Sequence, residues 1–569
     1  MPFCWEKTPH GLRALLLQSG VGGMHILEAV QAALELLPDA PPEEQADLYL
    51  LARDMLLSAW ESAWQEPAVS ASLCNIQTSR PFLPPNILKI LLFCARQPRV
   101  DPAFAESLRP ETAQDAEHYE HMLGEAQRSK AHPFFVLDLA VTHAWRENRP
   151  AWLRAFLQRD DFLPEALKIG LSADALFAEG DYAKAAAVYS RAHAALPFLV
   201  WERRRAEALC RADQRDDAIA LLRGIHARRP WQINALLRLS DLLMDRDRNL
   251  SFPPGNGVVL LYTWNKSRDI DATLASLAAS ELSDPAGEAR VIVLDNGSSD
   301  AVPEVLRAWE GRFAGRMSIT TLPVNIGAPA ARNWLLALPE VRQADWAAFL
   351  DDDVAVPALW LRHLWAALRA YPEAGVSACH ALDYHAPMSQ QWTDMHISLL
   401  RREDGGRGFR DHFKFSAPHE QAFDFGEFTF MRPCVTAIGC CHLLTRKAMD
   451  EDGPFDIRFS PSQSDDVDHD MRACLTGRLP IYNGHLRVLH KRSTGYHKTS
   501  NRRGWASAVG NWYKLQAAYS EEEAARIFEL DQQTMWEDLR RRREVIREYD
   551  ASAGPGASRR SAPEALIHG

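Results

Sequence analysis

The sequence predicts a multidomain chain in which an all-α region is followed by an α/β domain with a mostly parallel sheet. Up to residue 248, apolar residues recur at the spacing of amphipathic helices. From residue 258 onward, short apolar runs alternate with amphipathic segments, which is typical of parallel strands joined by helices that cover both faces of a sheet. The 569 residues are enough for two to four domains.

Changes in this pattern set the predicted domain boundaries. Helical periodicity is clearest at 24–37, 46–64 and 87–94. A segment rich in Gly, Pro and Asn separates the two classes of pattern, and the end of the chain is rich in Ala, Ser, Gly and Pro. The predicted parts are a helical region at 1–160, helical repeats at 161–248, a linker at 249–257, an α/β domain at 258–515, a C-terminal helix at 516–550 and a disordered tail at 551–569.

The repeat lies within residues 161–248. Ala185 and Pro197 recur as Ala218 and Pro230, so that the two sets are 33 residues apart (185 to 218). Small residues at these places let two helices pack closely, and each proline ends a unit. The spacing resembles the tetratricopeptide repeat, whose period is about 34 residues. This resemblance implies a concave surface that would bind a protein acceptor or another protein partner.

The composition is that of a soluble protein, with 47% apolar residues and a net charge of −11. The negative balance argues against nucleic acid as a partner, because nucleic-acid binders carry a basic surface. Arg203, Arg204 and Arg205 form a local basic run, which we interpret as a solvated helix face. No apolar run approaches the length of a membrane span, so we expect no transmembrane segment. The start of the chain lacks the pattern of a secretory signal.

The cysteines indicate a reducing compartment. The chain has nine, an odd number that does not suggest a disulfide framework. Cys440, Cys441 and His442 have apolar flanks and lack a second pair at zinc-site spacing, so we interpret the two cysteines as core thiols. We therefore expect a cytoplasmic protein, with a peripheral position at the inner face of a membrane as an alternative.

The predicted strands of the α/β domain are each followed by polar residues. The carboxyl ends of parallel strands are where open sheets of this class bind ligands. The fourth strand ends in Asp351, Asp352 and Asp353, and such close carboxylates repel one another unless a positive charge joins them. Mg²⁺ or Mn²⁺ with a phosphorylated ligand is the natural partner, and a solvated acidic turn is the alternative. The predicted strands are 258–263, 291–294, 317–322 and 346–350, and the predicted helices are 270–280, 302–309, 328–338 and 358–371.

Four motifs in succession identify a family. They are a Thr-Trp-Asn-Lys turn at 263–266, an Asp-Asn-Gly-Ser turn at 295–298, the Asn-Ile-Gly to Ala-Arg-Asn segment at 325–333 and the Leu-Asp-Asp-Asp motif at 350–353. Residues 258–515 thereby resemble family 2 glycosyltransferases of the GT-A type. For Asn325 and Asn333 we favour structural roles in turn formation and helix capping.

The resemblance implies a role for each matching position of the first half of the site. Trp264, where the family more often has Tyr, would stack on the nucleotide base. A divalent metal, Mn²⁺ or Mg²⁺, would bridge the donor diphosphate at Asp353. The nucleotide-sugar donor would further be bound by Thr263, Asn265, Asp295, Arg332, Asp351 and, as the variable middle position, Asp352.

A second acidic segment would handle the acceptor. Asp466 matches the catalytic base of the family, because an inverting transferase must deprotonate its acceptor. Asp465 stands where Glu is usual and would lie on the acceptor side. His490 would be a further metal ligand, since imidazole with carboxylate suits Mn²⁺. The aromatic residues and histidines between 380 and 431 either line an acceptor pocket or fill a core.

The resemblance implies a metal-dependent inverting glycosyltransferase that moves a sugar from a nucleotide-diphosphate-sugar to a protein, saccharide or lipid-linked acceptor. Two alternatives stay open. A sugar nucleotidyltransferase shares the carboxylates and the metal, although the Gly-rich segment that such enzymes carry after the first strand is missing here. A non-catalytic repeat scaffold with an inactive transferase domain is the other alternative.

Overall fold

The computed structural model describes residues 3–97, 99–400, 411–491 and 502–552. The first part is all-helical, as predicted. Several of its helices carry proline in the first turn, where the missing N–H has no helical partner to lose. The helices are α1 (His10–Gln18), α2 (Gly23–Leu36), α3 (Pro42–Ser62), α4 (Pro67–Ser79), α5 (Pro85–Ala95), α6 (Pro102–Ser107), α7 (Ala116–Ser129), α8 (Pro133–Arg146), α9 (Pro150–Gln158), α10 (Glu165–Ala178), α11 (Tyr182–Ala195), α12 (Leu199–Arg211), α13 (Arg215–Arg228) and α14 (Ile233–Leu243).

Helices α10 to α14 pack side by side in chain order. Ala185 and Ala218, the repeated small residues, are both fully buried, which lets neighbouring helices approach closely. At Gly170 a Cβ would lie 2.4 Å from the Trp201 ring, so only glycine fits beneath this indole. Stacked helical hairpins are therefore present, and their membership of the tetratricopeptide family stays a prediction.

The second part is the predicted α/β domain, followed by two long helices. Its elements are β1 (Gly255–Thr263), α15 (Ser267–Ala278), β2 (Ser283–Asp284), β3 (Gly287–Asp295), α16 (Val302–Arg312), β4 (Met317–Thr321), α17 (Ala328–Ala337), α18 (Pro339–Arg342), β5 (Trp346–Leu350), β6 (Val354–Ala355), α19 (Trp360–Ala370), β7 (Val376–Asp383), β8 (Gln390–Trp392), β9 (Ile397–Leu399), β10 (Phe413–Phe415), β11 (Met431–Pro433), β12 (Cys441–Thr445), α20 (Arg446–Glu451), α21 (Asp465–Leu475), β13 (Ile481–His490), α22 (Arg502–Ala518) and α23 (Glu521–Ser552).

The predicted elements between 258 and 371 are all present, with ends shifted by a few residues. The first strand begins at Gly255, inside the predicted linker, because residues 255–257 pair with residues 287–289 of β3. The helix predicted at 516–550 corresponds to α23 (Glu521–Ser552), and α22 precedes it, mostly within the residues predicted as the α/β domain. Most of the tail predicted at 551–569 lies outside the described residues. Among the described helices, a search for a stretch long and apolar enough to cross a bilayer returns none.

Most long strands of the 11-stranded sheet run in one direction. Strands β4, β3, β1 and β5 pair in parallel in that spatial order. Strand β12 is antiparallel to both β5 and β7, and β13 is parallel to β7. It follows that β1, β3, β5 and β13 all end at the same edge of the sheet, and that β12 begins there.

The segment between 416 and 433 connects the sheet to the helical region. The Arg203 guanidinium of α12 donates to the Glu427 carboxylate (3.0 Å), and the Asn234 amide of α14 donates to the Glu427 carbonyl oxygen (3.0 Å). Arg432 donates to the Leu17 carbonyl oxygen at 2.8 Å. Phe425, Phe428 and Phe430, which were among the residues considered for an acceptor pocket, belong to the core shared with the helical region.

The interpretation of the arginine run at 203–205 as a solvated face is wrong for two of its members. Arg203 has 11% of its side chain exposed and Arg204 has 14%. Arg204 lies 2.8 Å from the Asp174 carboxylate, and its guanidinium covers the Phe425 ring at 4.1 Å. The carboxylates that permit this burial come from distant parts of the chain, so a helical wheel does not reveal them.

A buried cluster around Arg542 joins α23 to both regions. Arg542 donates to the Asp241 carboxylate of α14 at 2.6 Å and to the Tyr371 hydroxyl at 2.9 Å. Asp241 also accepts from the Met431 amide (2.7 Å) and lies 2.8 Å from His485 Nε2. Burial favours the neutral form of Asp241, but Arg542, His485 and Arg246 together outweigh this and hold the pKa of Asp241 below its ordinary value.

We expect Arg542→Met to lower the free energy of unfolding by about 3–5 kcal/mol, because it leaves the Asp241 carboxylate buried without its main counter-charge. Urea denaturation followed by tryptophan fluorescence measures this change. Arg547→Met on the same helix is the control, since Arg547 is 62% exposed and pairs with exposed Glu544. Equal stability of the two variants would show that the cluster does not hold the regions together.

Candidate active site

The candidate residues gather at the sheet edge where β1, β3, β5 and β13 end. Thr263 and Asp295 are the last residues of β1 and β3, and they are register partners. Asp351 follows β5, and its amide donates to the Cys440 carbonyl oxygen (2.8 Å) just before β12. His490 ends β13. Parallel strand order therefore brings together residues that are more than 200 positions apart in the sequence (263 to 490).

Asp351, Asp353 and His490 form a cluster that could hold a metal ion. One ligand atom from each side chain lies within 4.8 Å of the others. His490 Nε2 is 3.1 Å from Asp353 Oδ1. The Lys266 ammonium lies 2.9 Å from Asp352 and 3.0 Å from Asp353, so it offsets part of the acidic charge.

The donor set fits a divalent metal of the Mn²⁺ or Mg²⁺ class. Two carboxylates and one imidazole are ligands that Mn²⁺ accepts. Burial raises the pKa of Asp351 and of Asp352, and nearby cationic side chains oppose this rise. A cation at the cluster would stabilise the ionised carboxylates further. Asp352 also binds Lys266, but it is not one of the three residues whose ligand atoms lie within 4.8 Å of one another.

The predicted nucleotide side lies at the ends of β1 and β3. Asp295 is 1% exposed, and one of its carboxylate oxygens accepts from the Ser298 amide at 2.9 Å. Within the described part of the chain, no donor reaches its buried Oδ2. Trp264 is 49% exposed, although it follows a buried strand. Asn265 has a left-handed backbone (φ 54°), and its side chain accepts from the Ser299 amide at 2.7 Å.

Arg332 joins the two acidic segments. Its guanidinium donates to Asp465 at 2.6 Å and lies 3.6 Å from Asp351. Three aromatic rings, those of Tyr262, Phe349 and Phe455, surround it at 5.2–5.9 Å. These rings shield the Arg332 guanidinium from water, while the Asp351 side chain stays 25% exposed. Arg332 itself is 4% exposed and links the segments from within the core, and its predicted contact with a donor stays a prediction.

Asp465 and Asp466 are adjacent in sequence but differ in accessibility. Asp465 is 2% exposed against Arg332, and burial raises its pKa while Arg332 opposes the rise. Asp466 is half-buried, and its Oδ2 accepts from the Gly439 amide at 2.9 Å. A Cβ at position 439 would lie 2.6 Å from this oxygen, so glycine is needed for the contact. The side chain open to a ligand is therefore Asp466.

The asparagines that we interpreted as structural make structural contacts. Asn325 Oδ1 accepts from the Gly327 amide at 2.8 Å and shapes the turn before α17. Asn333 exchanges two hydrogen bonds of 2.8 Å with the backbone of Phe455, so it joins two segments and caps no helix. Cys440 and Cys441 are 2% and 0% exposed, as expected for core thiols.

Two contributors to the site have no role assigned in the sequence analysis. Lys266 belongs to the Thr-Trp-Asn-Lys turn, and its basic character beside three aspartates was the available signal. The aromatic enclosure of Arg332 carries no such signal, because Phe349 lies in an ordinary apolar strand and Phe455 lies in a loop. Only packing shows that these rings face a charge.

The family of the domain follows from a comparison of the sequence. Residues 258–453 match the model of the family described as Glycosyl transferase family 2. The chain contains a family 2 glycosyltransferase domain. The predicted family and the predicted GT-A fold of this domain are thereby confirmed. The match covers β1 to α20 and ends before α21 and β13, so Asp466 and His490 lie beyond the matched residues of the glycosyltransferase domain.

Solved structures with some likeness to this chain include the following three. GalNAc-T7 with UDP, GalNAc and Mn²⁺ shows 12% identity over 47% of this chain and 49% of that chain, with a TM-score of 0.34. S. aureus TarS 1–349 shows 17% identity over 48% of this chain and 69% of that chain, with a TM-score of 0.29. The mannosyltransferase PcManGT from Pyrobaculum calidifontis, in complex with GDP-Man and Mn²⁺, shows 16% identity over 60% of this chain and 88% of that chain, with a TM-score of 0.32.

The present chain thus spans about half the length of GalNAc-T7, the first of these structures. A search of curated protein sequences returns no match.

We expect Asp353→Asn to weaken Mn²⁺ binding by at least about 100-fold, because loss of a direct ligand exceeds the 10–100-fold effect of outer-shell changes. Titration of the protein with Mn²⁺, followed by electron paramagnetic resonance of the free ion, measures the affinity. Asp345→Asn is the matched control, since it makes the same change of charge and lies at the opposite edge, before β5. Unchanged affinity in Asp353→Asn would remove this residue from the metal site.

Proposed function

We propose that the chain is a metal-dependent, inverting glycosyltransferase that moves a sugar from a nucleotide-diphosphate-sugar to an acceptor. One observation carries the proposal. The Asp351–Asp353–His490 cluster and half-buried Asp466 belong to one connected set of contacts at the ligand-binding edge of the sheet, with Arg332 as the link. A metal-held diphosphate and an acceptor base are the two parts that such a reaction requires.

The donor would bind over the ends of β1, β3 and β5. The exposed Trp264 indole offers a flat apolar face for the base, and the partnerless Oδ2 of Asp295 offers an acceptor for a base N–H. Asp351 would lie beside the ribose. Asp353 and His490 would hold the divalent metal, which when bound neutralises charge on the departing diphosphate.

Asp466 would act as the base. Its carboxylate is accessible and is oriented by the Gly439 amide, so it can accept the proton of an acceptor hydroxyl while that oxygen attacks the sugar C1. Attack from the face opposite the leaving diphosphate inverts the configuration at C1. For Asp465 we propose a different role from the one expected: it holds Arg332 and does not contact the acceptor.

The faces of α12 and α14 next to Glu427 are covered by the transferase domain. A polypeptide that used the helical hairpins would therefore dock on another of their surfaces. This contact weakens the argument from the repeats to a protein acceptor, and a saccharide or lipid-linked acceptor fits the site equally well. The helical hairpins instead pack against the transferase domain through α12 and α14.

The test uses a panel of UDP-, GDP- and dTDP-sugars with Mn²⁺ or Mg²⁺. We expect the wild-type protein to be stabilised by one donor and to release its sugar slowly, with loss of both effects in Asp353→Asn. Release of pyrophosphate from a sugar phosphate and a nucleoside triphosphate would favour the nucleotidyltransferase. A folded protein that neither binds nor cleaves any of these donors, with or without metal, would favour the non-catalytic scaffold.

Asp466→Asn separates chemistry from binding. We expect it to bind donor and metal as the wild type does and to lose about 100- to 10,000-fold in turnover, which is the range for a general base. Asp345→Asn again controls for the change of charge. Nuclear magnetic resonance of the product distinguishes the anomers, and retention of configuration would contradict the proposed mechanism.

A further inference from the structure

The turn that precedes α21 has an unusual backbone. Gln463 and Ser464 both have left-handed conformations, with φ values of 80° and 67°. Residues other than glycine adopt this region at a cost in free energy, so surrounding contacts must hold them there. Asp465 and Asp466 follow directly as the first residues of α21. The turn thus sets the positions of both aspartates at the start of α21.

One side chain of α22 binds this turn at three points. Asn511 is 1% exposed, and its Nδ2 lies 3.0 Å from the Phe459 carbonyl oxygen, 2.8 Å from that of Ser462 and 2.9 Å from that of Gln463. Carbonyl oxygens only accept hydrogen bonds, so the amide nitrogen must face them. The two N–H groups of Asn511 are therefore shared among three carbonyl groups.

Lys514, one turn further along α22, extends this clamp. Its ammonium donates to Asn511 Oδ1 at 2.8 Å and to the Arg458 carbonyl oxygen at 2.7 Å. The hydrogen bond from Lys514 to Asn511 Oδ1 confirms the orientation of the Asn511 amide, because an ammonium group only donates hydrogen bonds. Four carbonyl groups between residues 458 and 463 are thus bound by two side chains of one helix.

The opposite side of the turn rests on the donor half of the site. The Ala328 amide, at the start of α17, donates to the Pro461 carbonyl oxygen at 2.8 Å. At Gly327 a Cβ would lie 3.0 Å from Ser460 Oγ, so the two segments are in close contact. Helix α17 carries Arg332. The turn is therefore held between the helix that bears Arg332 and the helix that bears Asn511.

We infer that Asn511 is a positioning residue for the transfer step: through the turn at 459–464, it orients Asp466 toward the acceptor. This inference rests on the proposed role of Asp466 as the base. Asn511 acts through the turn and touches neither donor nor metal. Its loss should lower turnover and leave donor binding unchanged.

Asn511→Asp tests the inference, because it keeps the size of the side chain and the contact with Lys514 but removes both N–H donors. We expect kcat to fall about 100-fold, the effect of a shift of about 1 Å in a catalytic group. Donor and Mn²⁺ affinities should keep their wild-type values. Hydrogen–deuterium exchange of a peptide that spans residues 459–468 should become faster.

Asn483→Asp is the matched control. Asn483 is a buried asparagine of β13 whose amide donates to the His363 carbonyl oxygen at 2.7 Å, away from the turn. We expect this variant to leave kcat and exchange at 459–468 unchanged, even if its melting temperature falls. Lys514→Met, which removes the outer half of the clamp, provides a second variant in case Asn511→Asp does not fold; it should give a smaller loss of kcat.

Wild-type kcat and wild-type exchange in folded Asn511→Asp would overturn the inference. An equal loss of donor affinity and turnover would also overturn it, because that pattern indicates general damage to the domain. An inactive wild-type protein would instead contradict the proposed function. In that case, unchanged exchange at 459–468 in the variant would still refute the clamp.

Discussion

The ion pair between Arg542 and Asp241 is the interaction on which the arrangement of the whole chain depends. It is buried where the helical hairpins, the sheet and the C-terminal helix meet, and Asp241 also binds the backbone of β11 and a side chain of β13. Such a pair stabilises only when all its partners are present, since each charge is costly to bury alone. The helical region and the transferase domain are therefore parts of one structural unit.

A second buried arginine links two acidic segments of the candidate site. Arg332 contacts Asp351 after β5 and Asp465 at the start of α21, and three aromatic rings surround its guanidinium. The low polarity around the guanidinium strengthens its ion pairs. Asp351, one of the three residues that could hold a metal ion, is thus joined through Arg332 to the segment that carries Asp466.

Sequence patterns predicted the sheet domain well because its strands are apolar on both faces and its helices are amphipathic. The run at 346–350 is a strand with those bounds, and the aspartates after it lie at the ligand-binding edge as expected. Burial that depends on distant partners was predicted less well. The sequence predicts a solvated Arg203 because it does not show that Glu427 lies against it. For the aromatic residues near 427 it left a pocket lining and a core both open, and the helices that cover them decide for the core.

The sequence alone determined the family, the order of strands and helices, and the residue types of the candidate site, because these depend on local periodicity and short motifs. Tertiary structure alone decided which carboxylates are accessible. Asp465 and Asp466 are neighbours with the same chemistry, yet one is paired with Arg332 in the core and the other is accessible. That difference depends on Arg332, 133 positions before Asp465 in the sequence (332 to 465), and no local pattern encodes such a contact.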